Sequence, residues 1–377
     1  MTTAQDPTLD REISRKLDAG ERLTDDDATY LYNGAALDDL QRWASQARAR
    51  FHDEARATYL IMRIINYTNV CVAKCDYCSF YRLPKSSEGY VLPREQIFAK
   101  IDEILALGGD FVGFNGGHNP RLRLPWYEET FAAIRARYGD TIEFYAMTVA
   151  EMMYVSKLCK VSYAEACARL KAAGVRWITG GGAEILTNEF RKRHSPLKYT
   201  ADDYMIAQRA ILDAGLKSTA TMVIGFDESV AERVEHLRRV RQLQDETDGG
   251  LFSFLSWTYK PYGNELGGQE LGPEDYLRHL AVSRLYLDNV RHIRTSVLTQ
   301  NQNALRGLKF GADDFDIPLE DEVTQMAGAT INRDIEAVLG QARAEGFEPV
   351  YRPIALARRE TTSAPNRPPA PVRLPLA

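Results

Sequence analysis

The chain runs to 377 residues, with 26% charged and 45% hydrophobic side chains and a formal net charge of -5. That length exceeds a typical single domain, yet α/β barrels of this size run as one unit and bury a sizeable core. The mildly acidic balance, with no long basic run, argues against nucleic acid or an anionic membrane as partner, so the expected ligand is a small molecule.

Residues 1–12 are polar and acidic, without the apolar segment a leader needs, and no run approaches the roughly 18 apolar residues of a membrane span. No membrane span is expected, and the cytoplasm is the expected location. Thiols stay reduced there, so five cysteines, an odd number, argue against a disulfide framework and for metal or redox chemistry.

In chain order, residues 8–48 read as short helices. Leu9, Ile13 and Leu17 keep one apolar face, and Thr24 before three aspartates is a cap signature. They make up an N-terminal helical extension expected over 1–55. At Tyr59 the period changes to the apolar run Tyr-Leu-Ile-Met-Arg-Ile-Ile, a buried strand by its length and β-branching. Strand and helix candidates then alternate. Strands are expected over 111–115, 142–147, 176–179, 218–224, 251–255 and 292–296. Helices over 93–107, 125–138, 162–173, 201–214, 231–247 and 273–289 separate them, the third opening on the capping pair Ser162 and Glu165. Seven strands separated by helices predict an α/β fold, a TIM-like parallel (β/α) barrel over 56–352, with a doubly wound open sheet as the alternative. The stretch 353–377, with Pro365, Pro368, Pro369, Pro371 and Pro375, reads as a disordered tail.

In parallel sheets, ligands bind beyond the carboxyl ends of the strands. The first strand is followed by Cys71, Cys75 and Cys78, three cysteines in one short loop. The second gives Gly116-Gly117-His118, the third ends at Tyr145-Ala146-Met147-Thr148, and the fourth gives Gly180-Gly181-Gly182-Ala183-Glu184. Gly225 follows the fifth strand and Trp257 the sixth. Taken alone, Gly116-Gly117 reads as a tight turn, Glu184 as a helix N-terminal acid and His118 as an ordinary loop histidine. Cys159 and Cys167, eight apart in a helix-like stretch, read as inert buried thiols. Three convergent thiolates suit either a zinc site completed by His52, His118 or Asp76, or a 4Fe-4S cluster with one iron left open.

Cys71-x3-Cys75-x-Tyr77-Cys78 resembles the signature of the radical S-adenosylmethionine (SAM) superfamily, Cys-x3-Cys-x-aromatic-Cys. The resemblance implies a 4Fe-4S cluster on the three cysteines, SAM as cosubstrate, a 5'-deoxyadenosyl radical, and a reductant protein such as flavodoxin or ferredoxin. It also implies that Gly116 and Gly117 meet the methionine amine and that the Tyr77 main chain holds the adenine. By the same resemblance Glu184 takes the ribose hydroxyls, and Ile224 and Gly225 pack on the adenine.

Asn66-Tyr67-Thr68-Asn69-Val70-Cys71, Gly180-Gly181-Gly182-Ala183-Glu184-Ile185 and Arg233-Val234-Glu235-His236-Leu237 are similar to the subgroup of the futalosine route to menaquinone and its relatives in deazaflavin synthesis. The similarity covers roughly residues 55–352, most of the chain. Phe80-Tyr81-Arg82, Ser218-Thr219-Ala220-Thr221-Met222 and Trp257 resemble the members that close a spiro ring on a single substrate after C4' hydrogen abstraction. Members that join an enolpyruvyl benzoate to the adenosyl group of SAM have serine at position 81, asparagine at 219 and an aliphatic residue at 257. The stretch Gly311-Ala312-Asp313-Asp314 fits the ring-closing pattern, whereas Asp316-Ile317-Pro318 departs from it. Ring closure needs a carboxylate anchor, ribose acceptors and a base. Arg82, Tyr145, Thr148, Trp257 and Asp314 are the candidate substrate contacts, and His118 is the candidate polar contact or base. A non-enzymatic alternative is a zinc-stabilised binding barrel, whose cysteines would matter to folding rather than to turnover.

Overall fold

The computed structural model describes residues 5–357. Its strands are β1 (Arg56–Ile65), β2 (Phe111–Phe114), β3 (Glu143–Thr148), β4 (Trp177–Thr179), β5 (Lys217–Ile224), β6 (Leu251–Thr258), β7 (His292–Ser296), β8 (Asp314–Pro318) and β9 (Glu348–Tyr351). All pairings among them are parallel. β2 through β8 follow one another, β8 pairs with β1, and β1 pairs with β2, so eight strands close into a TIM-like barrel. The expected barrel is therefore present and the open-sheet alternative is not.

The closure follows from β1. Its side chains alternate: Leu60 and Met62 join a small cluster with Phe111, Tyr145 and Trp177, while Tyr59, Ile61 and Ile65 belong to the larger core beneath the helices. A strand buried on both faces needs helices outside and packed side chains inside, and a parallel barrel supplies both. β2 begins opposite Met62, so the first half of that edge of β1 would stand open. β9 takes it, pairing with Arg56–Tyr59.

The seven sequence-derived strands correspond to β1–β7; β8 and β9 were not expected. Asp-Phe-Asp-Ile-Pro puts two carboxylates on the inward face of β8 and ends on a proline, which reads as loop rather than strand. The helices Arg94–Ala106, Leu124–Tyr138, Tyr163–Ala172, Ala201–Asp213, Val230–Glu246 and Pro273–Tyr286 lie where the apolar spacing puts them. Helix Val149–Cys159 follows β3 without a loop, fixed by the reciprocal cap of Thr148 and Glu151. Ahead of the barrel, helices Pro7–Ala19, Asp25–Asn33 and Leu37–Ala49 bury Leu31, Leu40 and Trp43 in a core shared with Pro273–Tyr286. No helix among the described residues is long and apolar enough to cross a membrane. The disordered tail expected over 353–377 falls, from 358 onward, outside the described residues.

Candidate active site

A cavity of about 320 Å³ opens at the carboxyl ends of the barrel strands. Cys71, Cys75, Tyr77, Cys78, Gly116, Gly117, His118, Tyr145, Thr148, Glu184 and Trp257 all line it, so most of the residues singled out in the sequence meet in one place. Backbone bonds hold the cysteine loop: Cys71 N donates to Arg82 O at 2.9 Å and Cys78 N to Cys75 O at 3.1 Å. The His118 amide donates to the Cys71 sulfur at 3.3 Å, and the His118 carbonyl accepts from Val72 N at 3.2 Å. The turn after β2 is thereby tied directly to the first cysteine.

The glycines of that turn are required by space. A Cβ on Gly116 would lie 2.6 Å from the Tyr67 ring, and one on Gly117 would lie 2.8 Å from Cys71 Cβ and closer still to the Val70 carbonyl. Below them Glu151, 2% exposed, accepts from Gly116 N at 3.0 Å, from Thr148 N at 2.8 Å and from the Tyr67 hydroxyl. Burial raises its carboxyl to about 7 despite these bonds. Across the cavity Glu184 sits at φ +41° and receives Lys198 Nζ at 3.2 and 3.3 Å on its two oxygens. Lys198 also reaches the Tyr77 hydroxyl at 3.4 Å. His118 stacks on Tyr154 with centroids 4.7 Å apart. Burial, assisted by Lys198, lowers the His118 ring to about 3, so it is a neutral imidazole and a weak base.

Four of the expected residues lie off the cavity wall. Arg82 is turned onto Glu88 at 2.5 Å and onto the carbonyls of Ser79, Phe80 and Tyr81, where it braces the loop after the last cysteine. Ile224 is fully buried in the outer core because strand alternation puts Val223, not Ile224, on the inside. Gly225, at φ +94°, donates its amide to Glu228 at 2.8 Å. Asp314 faces inward too deep in the barrel, bound by Arg294 at 2.7 Å, Arg352 at 2.7 and 2.9 Å and Thr58 at 2.6 Å. The next inward residue, Asp316, reaches the cavity instead.

Lys198, Arg294, Asp316 and Glu151 were missed. Glu151 had a local signal in the Thr-x-x-Glu cap and Asp316 in the departing Asp316-Ile317-Pro318 stretch; Lys198 and Arg294 are brought in from a distant loop and strand. Cys167 is buried as expected, whereas Cys159 is only half-buried and accepts from Leu124 N at 3.3 Å; neither lines the cavity.

A mononuclear zinc site would gather its sulfurs to about 3.8 Å of one another. Among the described residues, the three cysteine sulfurs are not gathered within even 4.8 Å. Of the three proposed fourth ligands, His52 lies beside Asp313 and Asp76 bonds His194 at 2.9 Å, whereas His118 lines the cavity with its ring stacked on Tyr154. Burial pushes the Cys75 thiol up to about 12 and Cys78 up as well, so protons stay until a metal replaces them. Three spread thiols lining an open cavity fit a cluster with each cysteine on its own iron.

The radical SAM superfamily matches residues 65–240, and the CofH/MqnC C-terminal region matches 248–364. A "Cyclic dehypoxanthine futalosine synthase" of Halalkalibacterium halodurans is 37% identical over 92% of this chain and 93% of its own. An "Aminodeoxyfutalosine synthase" of Thermus thermophilus is 32% identical over 87% and 89%. A crystal structure of methylornithine synthase, 16% identical, superposes over 93% of this chain and 99% of its own with a TM-score of 0.69, which speaks for the fold alone. The chain is thus an enzyme of the radical SAM superfamily, whose cofactors are a 4Fe-4S cluster and S-adenosylmethionine.

Proposed function

We propose that the chain closes dehypoxanthine futalosine into its cyclic form, the reaction named in its relative, in the futalosine route to menaquinone. The observation that carries the reading is 37% identity along nearly the whole of both chains, against 32% for the relative named for aminodeoxyfutalosine synthesis.

When bound, the cluster and SAM would supply a 5'-deoxyadenosyl radical, the hydrogen-abstracting agent of this reaction. In this reading Cys71, Cys75 and Cys78 would hold the cluster at the cavity wall. Gly116 and Gly117 admit the methionine end of SAM, and Glu184, oriented by Lys198, accepts ribose hydroxyls. The Tyr77 main chain borders the adenine. Tyr145, Thr148 and Trp257 form the substrate wall, and the aromatic surfaces keep water from the radical. His118, neutral and stacked, serves as a polar contact rather than as the base. A small cytoplasmic redox protein such as flavodoxin or ferredoxin supplies the electron.

The test is an anaerobic assay of reconstituted protein with dehypoxanthine futalosine, SAM and dithionite, followed by mass. A product two hydrogens lighter, formed together with 5'-deoxyadenosine, is expected. Unchanged substrate while SAM is cleaved would refute the reading, and an adduct formed from an enolpyruvyl benzoate would identify the other synthase activity.

A further inference from the structure

We propose that Asp316 and the adjacent Arg294, with Trp257 on the same cavity lining, form a polar subsite that accepts a ribose hydroxyl of the substrate. The inference rests on the function proposed above, in which the substrate is a ribosyl compound.

Asp316 is 2% exposed and Arg294 4%, and both line the cavity. Among the described residues Asp316 Oδ1 has no hydrogen-bond partner, and neither does Arg294 Nη2, which stands 3.6 Å away. Trp257 Nε1, on the next strand of the same wall, is a third buried polar atom without a partner. Buried polar atoms are almost always bonded, so three orphans on one cavity wall call for a group that arrives from outside the chain.

The layer beneath shows the contrast. There Arg294 Nε, Asp314, Arg352 and Thr58 bond one another at 2.6–2.9 Å, and both oxygens of Asp314 are used. One step down the barrel both carboxylate oxygens are bonded, with only Arg352 Nη1 of that layer unpartnered among the described residues, whereas at Asp316 an acceptor and the facing donor are both left open. One acceptor and two donors complement a group that both donates and accepts, which is what a hydroxyl does; the second donor is free for a neighbouring oxygen. Burial raises the Asp316 carboxyl to about 6, so it is ionised near neutrality and accepts.

The placement separates this subsite from the cofactor residues. Asp316, Arg294 and Trp257 come from β8, β7 and β6, whereas the cysteines, Gly116, Gly117 and Glu184 follow β1, β2 and β4. Asp316 also begins the segment in which the sequence leaves the ring-closing pattern, so the contact would be a specificity determinant of this chain.

The experiment is calorimetric binding of dehypoxanthine futalosine and its 2'-deoxy and 3'-deoxy analogues to reconstituted protein with SAM and no reductant. Wild type is expected to bind the parent about 10- to 100-fold more tightly than one deoxy analogue, the effect of a hydrogen bond to a charged group. In Asp316→Ala that discrimination disappears because the parent weakens to the level of the analogue. Asp316→Asn, which keeps shape and an acceptor oxygen, retains part of it and covers the case in which the alanine variant does not fold. Undiminished discrimination in both variants, or a wild type that does not bind the parent, overturns the subsite. Binding with the expected discrimination but without ring closure in the turnover assay would overturn the proposed function and leave the subsite standing.

Discussion

Glu151 faces no ligand, yet the glycine turn depends on it. Its carboxylate receives the Gly116 amide, the Thr148 amide and the Tyr67 hydroxyl in full burial. Because burial raises the folded carboxyl to about 7 from an ordinary 4.5, the folded chain holds a proton there that the unfolded chain has released. The contribution to stability is therefore fully present below pH 4.5, is lost as pH rises toward 7, and stays lost above it. The gap corresponds to about 3 kcal/mol at most. Urea unfolding at pH 5 and pH 8 should show a decline of this sign, and Glu151→Gln should flatten it; an unchanged decline would place its source elsewhere. Gly117 makes a sharper prediction. A Cβ there meets backbone and the Cys71 side chain rather than a movable tip. Gly117→Ala should thus leave the circular dichroism spectrum intact while cutting 5'-deoxyadenosine formation by about two orders of magnitude, since a displacement near 1 Å in a reacting site has that effect.

At the next scale, the strand that seals the bottom of the barrel hangs on Asp110. Fully buried just before β2, it accepts from the Tyr351 hydroxyl at 2.7 Å and from the amides of Ile354 and Ala355 at 3.0 and 2.9 Å. Asp110→Ala removes the acceptor of these three bonds, and a loss of about 3 kcal/mol is expected, with early proteolytic cleavage between β9 and residue 357. Equal cleavage rates in wild type and variant would contradict it. Neither β9 nor Asp110 could be read from the sequence, because four residues without a long apolar run carry no period. β1 to β7 were legible because their runs are apolar and β-branched. β8 was not, since its inward face carries the carboxylates Asp314 and Asp316. The same physics sorts the site. The cysteines, Tyr77 and the glycines were legible as contiguous motifs. Ile224 was placed on the wrong face because choosing between Val223 and Ile224 needs the register, and a shift of one residue exchanges the faces. Lys198 and Arg294 converge from a loop and from β7, far apart in the chain, so no spacing announces them.

Across the whole molecule, folding and chemistry occupy opposite ends of one barrel. At the amino ends of the strands, Arg284 pairs with Asp313 at 2.5 Å, His292 bonds the same carboxylate at 2.7 Å, and Arg352 and Arg294 enclose Asp314. At the carboxyl end lie the cysteines, the glycine turn and the unpartnered floor of the cavity. The cysteine loop itself is held by protein groups: Asp76 N donates to His194 O at 3.2 Å, and Asp76 O receives Glu265 N and Leu266 N at 2.8 and 2.9 Å. Arg82 adds its bonds to the carbonyls that follow Cys78. A structural zinc domain lacks such supports and unfolds without its metal. Here replacing Cys71, Cys75 and Cys78 together by alanine should remove bound iron and all SAM cleavage, yet preserve the far-ultraviolet spectrum. The melting temperature should fall by less than about 5 °C, because 1 kcal/mol moves the midpoint of a large domain by only a few degrees. Loss of secondary structure on that substitution, or on chelation of the metal, would instead make the loop a folding element as well as the cluster's seat.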